Sequence, residues 1–200
     1  GIRIVATERF GRTDTSVTAQ ALKLVAAKPD AVFVGGSGTP AVMPHTTLRD
    51  RGYAGPIYHS HAVANKDFLR VGGKAVEGAR LAVAPVLVAE QLPDAHPNKQ
   101  AGLAFDKALE AKYGPDSRSS FAGASWDGWL ILEGALTSAL KSARPGTPEF
   151  RESLRNALEK TNGVVGANGT YSMNAEDHGG YDPRSAVLIE VMGGKWKLVK

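Results

Sequence analysis

Between Ile2 and Val83, short apolar runs alternate with amphipathic ones: Ile2–Ala6 extended, Ser16–Ala27 helical, Ala31–Val34 extended, Pro40–Arg51 helical, Pro56–His59 extended, Asn65–Val71 helical and Ala79–Val83 extended. Strands separated by helices cannot be hairpin partners. They pair in parallel across right-handed crossovers, and the helices cover the sheet. The alternation therefore predicts an α/β chain with a parallel, doubly wound sheet. Val17, Ala21, Leu22 and Val25 form the apolar stripe of the first helix, and Gly52 supplies the left-handed residue that closes the second.

One βα unit stands out. In Lys28-Pro29-Asp30-Ala31-Val32-Phe33-Val34-Gly35-Gly36-Ser37-Gly38-Thr39-Pro40, a buried-strand run enters a glycine-rich turn, with Thr39 placed to cap a helix that has Pro40 at its first position. Turns of this kind lie at the carboxyl edge of an open α/β sheet, where ligands bind. The turn lacks the Gly-Lys-Ser/Thr ending of a phosphate loop and the G-x-G-x-x-G spacing of a dinucleotide fold, so a nucleotide is not its ligand. Its glycines let a ligand approach the backbone, and Ser37, Gly38 and Thr39 offer hydroxyls and amides. A purely structural turn is the alternative.

After Pro85 the character changes. Val86–Pro97 has no clear period, then Lys99–Tyr113, Ser119–Lys141 and Thr147–Lys160 read as helices, the last with Thr147 as cap and Pro148 at its first position. From Gly163 the chain turns β-rich: Gly169–Met173, a turn around Asp177-His178-Gly179-Gly180, Ala186–Met192, a Gly193-Gly194 hairpin turn and Lys195–Val199.

The chain has 200 residues, of which 42% are hydrophobic and 22% charged, as in a folded globular protein. Its net charge of +4 comes from basic residues scattered among acidic ones, which argues against a nucleic-acid footprint. There is no cysteine, so neither a disulfide framework nor a thiolate metal site is possible. No run is long enough to span a membrane. The start at Gly1, inside an apparent strand, leads us to expect a segment of something longer.

Tyr58-His59-Ser60-His61-Ala62 places two histidines at i, i+2, which in an extended segment point the same way. Zinc needs three or four ligands, and His45, His96 and His178 sit in unrelated contexts, so no metal or other cofactor is expected. His61, just past a strand's carboxyl end, can instead hydrogen-bond a ligand. Trp126 and Trp129, three apart on one helix, read by default as core, with a pocket wall as the alternative. No G-x-S-x-G, H-E-x-x-H or other nucleophilic set occurs, and Asp177-His178 beside two glycines reads as a turn, so no enzyme is indicated.

The order of several segments resembles a known family. These are Arg12-Thr13-Asp14-Thr15-Ser16-Val17-Thr18-Ala19-Gln20, Lys28-Pro29-Asp30-Ala31-Val32-Phe33-Val34, Leu48-Arg49-Asp50-Arg51-Gly52-Tyr53 with Gly55-Pro56-Ile57-Tyr58, Ala75-Val76-Glu77-Gly78, Tyr113-Gly114 and Gly193-Gly194-Lys195-Trp196. Together they are similar to the type I periplasmic solute-binding proteins of ABC transporters, in the branched-chain amino-acid group of extracellular ligand-binding receptors. The resemblance implies a periplasmic, non-enzymatic receptor whose two lobes, joined by crossovers, close on a small molecule and present it to a membrane permease. It implies that residues 1–84 are most of the second lobe, 85–162 belong to the first lobe and 163–200 cross back. The fold would be incomplete at the N-terminus, with a missing N-terminal half or a partner chain supplying the rest.

By position, the resemblance places Ser37, Gly38 and Thr39 in the ligand-contacting loop, with His61 and Ala62 beside it and Phe121 and Trp126 where a helix reaches the ligand. His61 stands where amino-acid receptors of this type carry an acidic residue for the ligand's ammonium group. An imidazole cannot replace that carboxylate, but it can hydrogen-bond a carboxylate or a phenol. The expected ligand is thus a small organic acid, aromatic by preference. A branched-chain or other amino-acid receptor, or a sensor of the same fold, is the alternative.

Overall fold

A computed structural model of the protein describes residues 1–115 and 117–199. The chain divides into two compact units, one made of Gly1–Val83 with the chain from Leu188 onward, the other of Ala84–Val187.

The first unit is built on a five-stranded sheet. Strands β1 (Val32–Val34), β2 (Ile57–His59) and β3 (Ala79–Val83) run parallel in sequence order, with Val32 beside Ile57 and Ile57 beside Ala79. Strands β6 (Val187–Met192) and β7 (Lys195–Leu198) complete the order β1-β2-β3-β6-β7 as an antiparallel hairpin turned at Gly193-Gly194, both at positive φ. The sheet is therefore mixed. Alternation sets its inner face, where Val32, Val34, Ile57, His59, Ala79, Leu81, Ile189 and Val191 are all buried.

Helices α1 (Thr18–Ala26), α2 (Val42–Asp50) and α3 (Lys66–Gly72) follow the predicted positions. Ala41, Val42, His45 and Leu48 form the buried stripe of α2 and its entry. Gly52, at φ +82°, closes that helix by donating to the Arg49 carbonyl while Tyr53 donates to Leu48. Asn65 caps α3 through its side chain, which accepts from the Phe68 amide at 3.0 Å.

Two local expectations fail. Ile2–Ala6 is not a strand, and Ile2 and Ile4 stand 101% and 80% exposed, because alternation needs a ladder partner to become a strand. Thr39 does not cap α2. It opens a 3₁₀ turn, Thr39–Ala41, whose own cap position is Gly38, and α2 starts only at Val42.

The second unit is mainly helical: α4 (Lys99–Tyr113), α5 (Ser120–Ala139) and α6 (Pro148–Leu158). Ser119 caps α5, accepting from the Phe121 and Ala122 amides, and Thr147 caps α6 by accepting from Phe150. The stretch 163–187 packs with these helices and holds a two-stranded ladder, β4 (Val164–Val165) with β5 (Thr170–Tyr171). The second unit runs to Val187, and the Ala167 and Asn168 amides and the Tyr171 hydroxyl, all donating to Asp127, tie residues 167–171 to α5.

Candidate functional site

The loops that leave β1 and β2 are joined at the carboxyl ends of the strands. The Gly38 amide donates to the Ala62 carbonyl at 3.1 Å, the Ser60 amide to the Val34 carbonyl at 3.3 Å, and the Ser60 hydroxyl to the Gly36 carbonyl at 2.5 Å. Gly38 sits at φ +62° and ψ −154°, a conformation that disfavours any side chain. At Gly36 the need for glycine is spatial, since a Cβ there would lie 2.6 Å from the Ala41 Cβ. Ser37, Gly38, Thr39, His61 and Ala62 are thus gathered into one loop cluster. Ser37, Thr39 and His61 are exposed, and Gly38 and Ala62 half-buried.

The cluster offers hydroxyls, amides and one imidazole, with no carboxylate among its five residues. Although His61 is exposed as a residue, desolvation of its ring lowers its pKa below the ordinary imidazole value. Near neutral pH it is a neutral group able to donate and accept. A cavity of about 310 Å³ also opens in this unit, lined by Phe10, Val17, Leu24, Val32, Pro44 and Leu48, but no member of the cluster lines it.

The two histidines of the Tyr58-His59-Ser60-His61 stretch do not act together. His59 is the last residue of β2 and is buried, while the chain turns into a 3₁₀ segment, His61–Val63, that leaves His61 outside. The i, i+2 argument fails because the strand ends between them. The partner of His59 is His45 on α2: His45 Nδ1 lies 2.9 Å from His59 Nε2. Burial lowers both pKa values, to about 3 for His45 and about 4 for His59. Among the described residues, no group of three or more His, Asp or Glu side chains is placed to hold a metal ion. The expectation that His45 is unrelated to this stretch therefore fails; its place as the polar member of an otherwise apolar stripe on α2 is the signal that could have singled it out, while the pairing with His59 left none.

In the second unit, Phe121 and Trp126 stand on the first turns of α5, 54% and 46% exposed, and Trp129 is 50% exposed. The default core assignment of the two tryptophans is therefore wrong. The buried stripe of α5 is Ser120, Gly123, Asp127, Ile131, Ala135 and Ala139, small near its start because residues 166–168 approach there. A Cβ on Gly123 would meet Asn168 Oδ1 at 2.5 Å. Asp127, to which the sequence assigned no role, accepts from the Ala167 amide at 2.6 Å, the Asn168 amide at 2.8 Å and the Tyr171 hydroxyl at 2.9 Å. Those bonds make it a structural clamp. The Trp126 ring lies 6.2 Å from Phe105 on α4, tilted by 39°.

Residues 1–194 match the family model described as Periplasmic binding protein. No curated protein matches the chain. Among solved structures, an extracellular ligand-binding receptor from Rhodopseudomonas palustris is 50% identical with a TM-score of 0.93, over 100% of this chain and 56% of that one. This chain thus spans little more than half the length of that relative. At lower identity the fold recurs in a leucine binding protein from Thermotoga maritima, 20% identical with a TM-score of 0.73 over 94% of this chain and 49% of that one. It recurs also in an ABC-transporter solute-binding protein from R. palustris in complex with benzoate, 19% identical with a TM-score of 0.66 over 94% and 47%. With 194 of its 200 residues matched and a half-identical receptor of the same fold, the chain belongs to the periplasmic binding protein family.

Proposed function

We propose that this protein is a periplasmic solute-binding component of an ABC importer, without catalytic activity, that binds a small organic acid, aromatic by preference. The observation that carries the ligand class is His61 in the Ser37-Gly38-Thr39/His61-Ala62 cluster. An ammonium ligand needs an anionic or carbonyl acceptor set, whereas a neutral imidazole with hydroxyls and backbone amides suits a carboxylate or a phenol. The fold does not choose between ligands, since one neighbour is a leucine binding protein and another carries benzoate. The choice rests on the side chains at the loop tips. Phe121 and Trp126, exposed on the first turns of α5, we propose as aromatic ligand contacts on the strength of the family resemblance alone.

The partners in this reading are the ligand and a membrane permease. No nucleic acid and no cofactor take part. Family membership and the receptor relatives support the reading.

The test is a thermal-shift series on the full-length protein with benzoate, other aromatic and aliphatic acids, leucine and valine, because a ligand selective for the native state raises its melting temperature. Stabilisation by an aromatic acid that disappears in His61→Ala is the expected result. Stabilisation by leucine or valine alone would place the protein with the amino-acid receptors, and the argument from His61 would fall.

A further inference from the structure

The His45–His59 pair is expensive core chemistry. Both rings are buried, at 0% and 3% exposure, and they meet through His45 Nδ1 and His59 Nε2. Two neutral imidazoles facing in this way share one proton. Whichever ring donates, one outer nitrogen then carries N–H and the other a lone pair. Those outer atoms, His45 Nε2 and His59 Nδ1, have no hydrogen-bond partner. An apolar pair of the same size would leave nothing unsatisfied, so the hydrogen bond calls for an explanation other than stability.

Its place in the chain supplies one. His45 sits on α2, four residues after Ala41 ends the 3₁₀ turn that carries Thr39. His59 is the last residue of β2, directly before Ser60 and His61. The rings are further fixed: His59 meets the edge of Phe68 with centroids 5.0 Å apart, and Phe68 stacks on Trp196 at 6.1 Å. We infer that the buried His45–His59 hydrogen bond is a positioning element of the ligand site, tying the segment after the Ser37–Thr39 loop to the segment before His61 so that the two loop tips keep their register. Above it the same two loops are joined by the Gly38–Ala62 and Ser60–Gly36 bonds. The inference rests on the reading of these loops as the ligand site.

The experiment compares the full-length wild type with the double variant His45→Leu/His59→Leu and the single variants His45→Asn, His59→Gln and His45→Ala. Asparagine offers a polar atom where His45 has Nδ1, and glutamine does so where His59 has Nε2, so these two keep a hydrogen bond that leucine and alanine remove. Two quantities are read: amide exchange at Gly38 and Ser60, and benzoate affinity by calorimetry. In the double variant we expect about tenfold faster exchange at Gly38 and about tenfold weaker binding at an unchanged or higher melting temperature, with His45→Asn and His59→Gln close to wild type. A folded double variant with wild-type exchange at Gly38 overturns the inference.

Should the double variant not fold, equal losses in His45→Ala and His45→Asn overturn it, and loss in the first alone supports it. If the wild type binds neither benzoate nor another acid, the ligand reading fails. The exchange contrast still decides the role of the pair.

Discussion

The Gly38 amide donates to the Ala62 carbonyl across the two loop tips, from a backbone conformation, φ +62° and ψ −154°, that glycine alone adopts without strain. The space around Gly38 is open, its nearest neighbour for an added Cβ being Pro40 Cδ at 3.9 Å. A substitution there thus tests backbone strain without a steric clash. Gly38→Ala should cost about 1–3 kcal/mol in urea unfolding and weaken ligand binding as well. Unchanged stability would show that the loop relaxes out of this conformation.

Asp127 holds two backbone amides and a tyrosine hydroxyl in a buried site. Asp127→Ala strands all three donors and should destabilise the second unit by about 3–5 kcal/mol, with Asp127→Asn intermediate because it keeps one acceptor. Denaturant titration followed by the fluorescence of Trp126 and Trp129 reads the effect. A loss below about 1 kcal/mol would contradict the clamp.

Acid should act on the two units in opposite directions. His45 and His59 have pKa values of about 3 and about 4, lowered first by burial and, for His45, then by His59 and Arg49. An unfolded histidine titrates near 6.5, so the unfolded chain takes up protons that the folded pair refuses, and the first unit loses stability as pH falls from about 6.5 toward 4. Asp106 on α4 runs the other way. Burial pushes its carboxyl up to about 7, while Arg118, 3.2 Å away, pulls it down and Glu110 and Glu90 raise it. Its contribution is present below the unfolded value near 3.9 and is lost as pH rises toward 7. Amide protection factors in each unit between pH 7 and 5 should show opposite slopes. His45→Leu/His59→Leu should flatten one and Asp106→Asn the other, and a slope of the wrong sign in either unit would refute the assignment made for that unit.

The ligand reading predicts a specificity exchange. His61→Asp places a carboxylate in the loop cluster, so the melting-temperature rise with benzoate should vanish and one with leucine should appear. Retention of the benzoate shift would mean that His61 does not face the ligand's acid group.

Much of the framework was legible in the residues. The βα alternation located β1, β2, β3 and the three helices of the first unit, and Thr147 and Gly52 marked helix ends through local chemistry that needs no distant partner. The failures share one cause. Ile2–Ala6 has the pattern of a strand, and Trp126 and Trp129 the apolar character of a core, but pairing and burial depend on what packs against them. His59 and His61 were read as neighbours on one face, but β2 ends at His59 and a 3₁₀ turn begins at His61, which leaves one ring inside and the other residue at the surface.

The sequence by itself determined the α/β class and the family, because periodicity, caps and ordered motifs are properties of neighbouring residues. Tertiary structure alone decided that Gly38 and Ser60 lock two loops together, that His45 meets His59, and that Asp127 clamps residues 167–171. These contacts join positions 14 to 44 residues apart, and only the packing of strands and helices within each unit brings such positions within hydrogen-bond range.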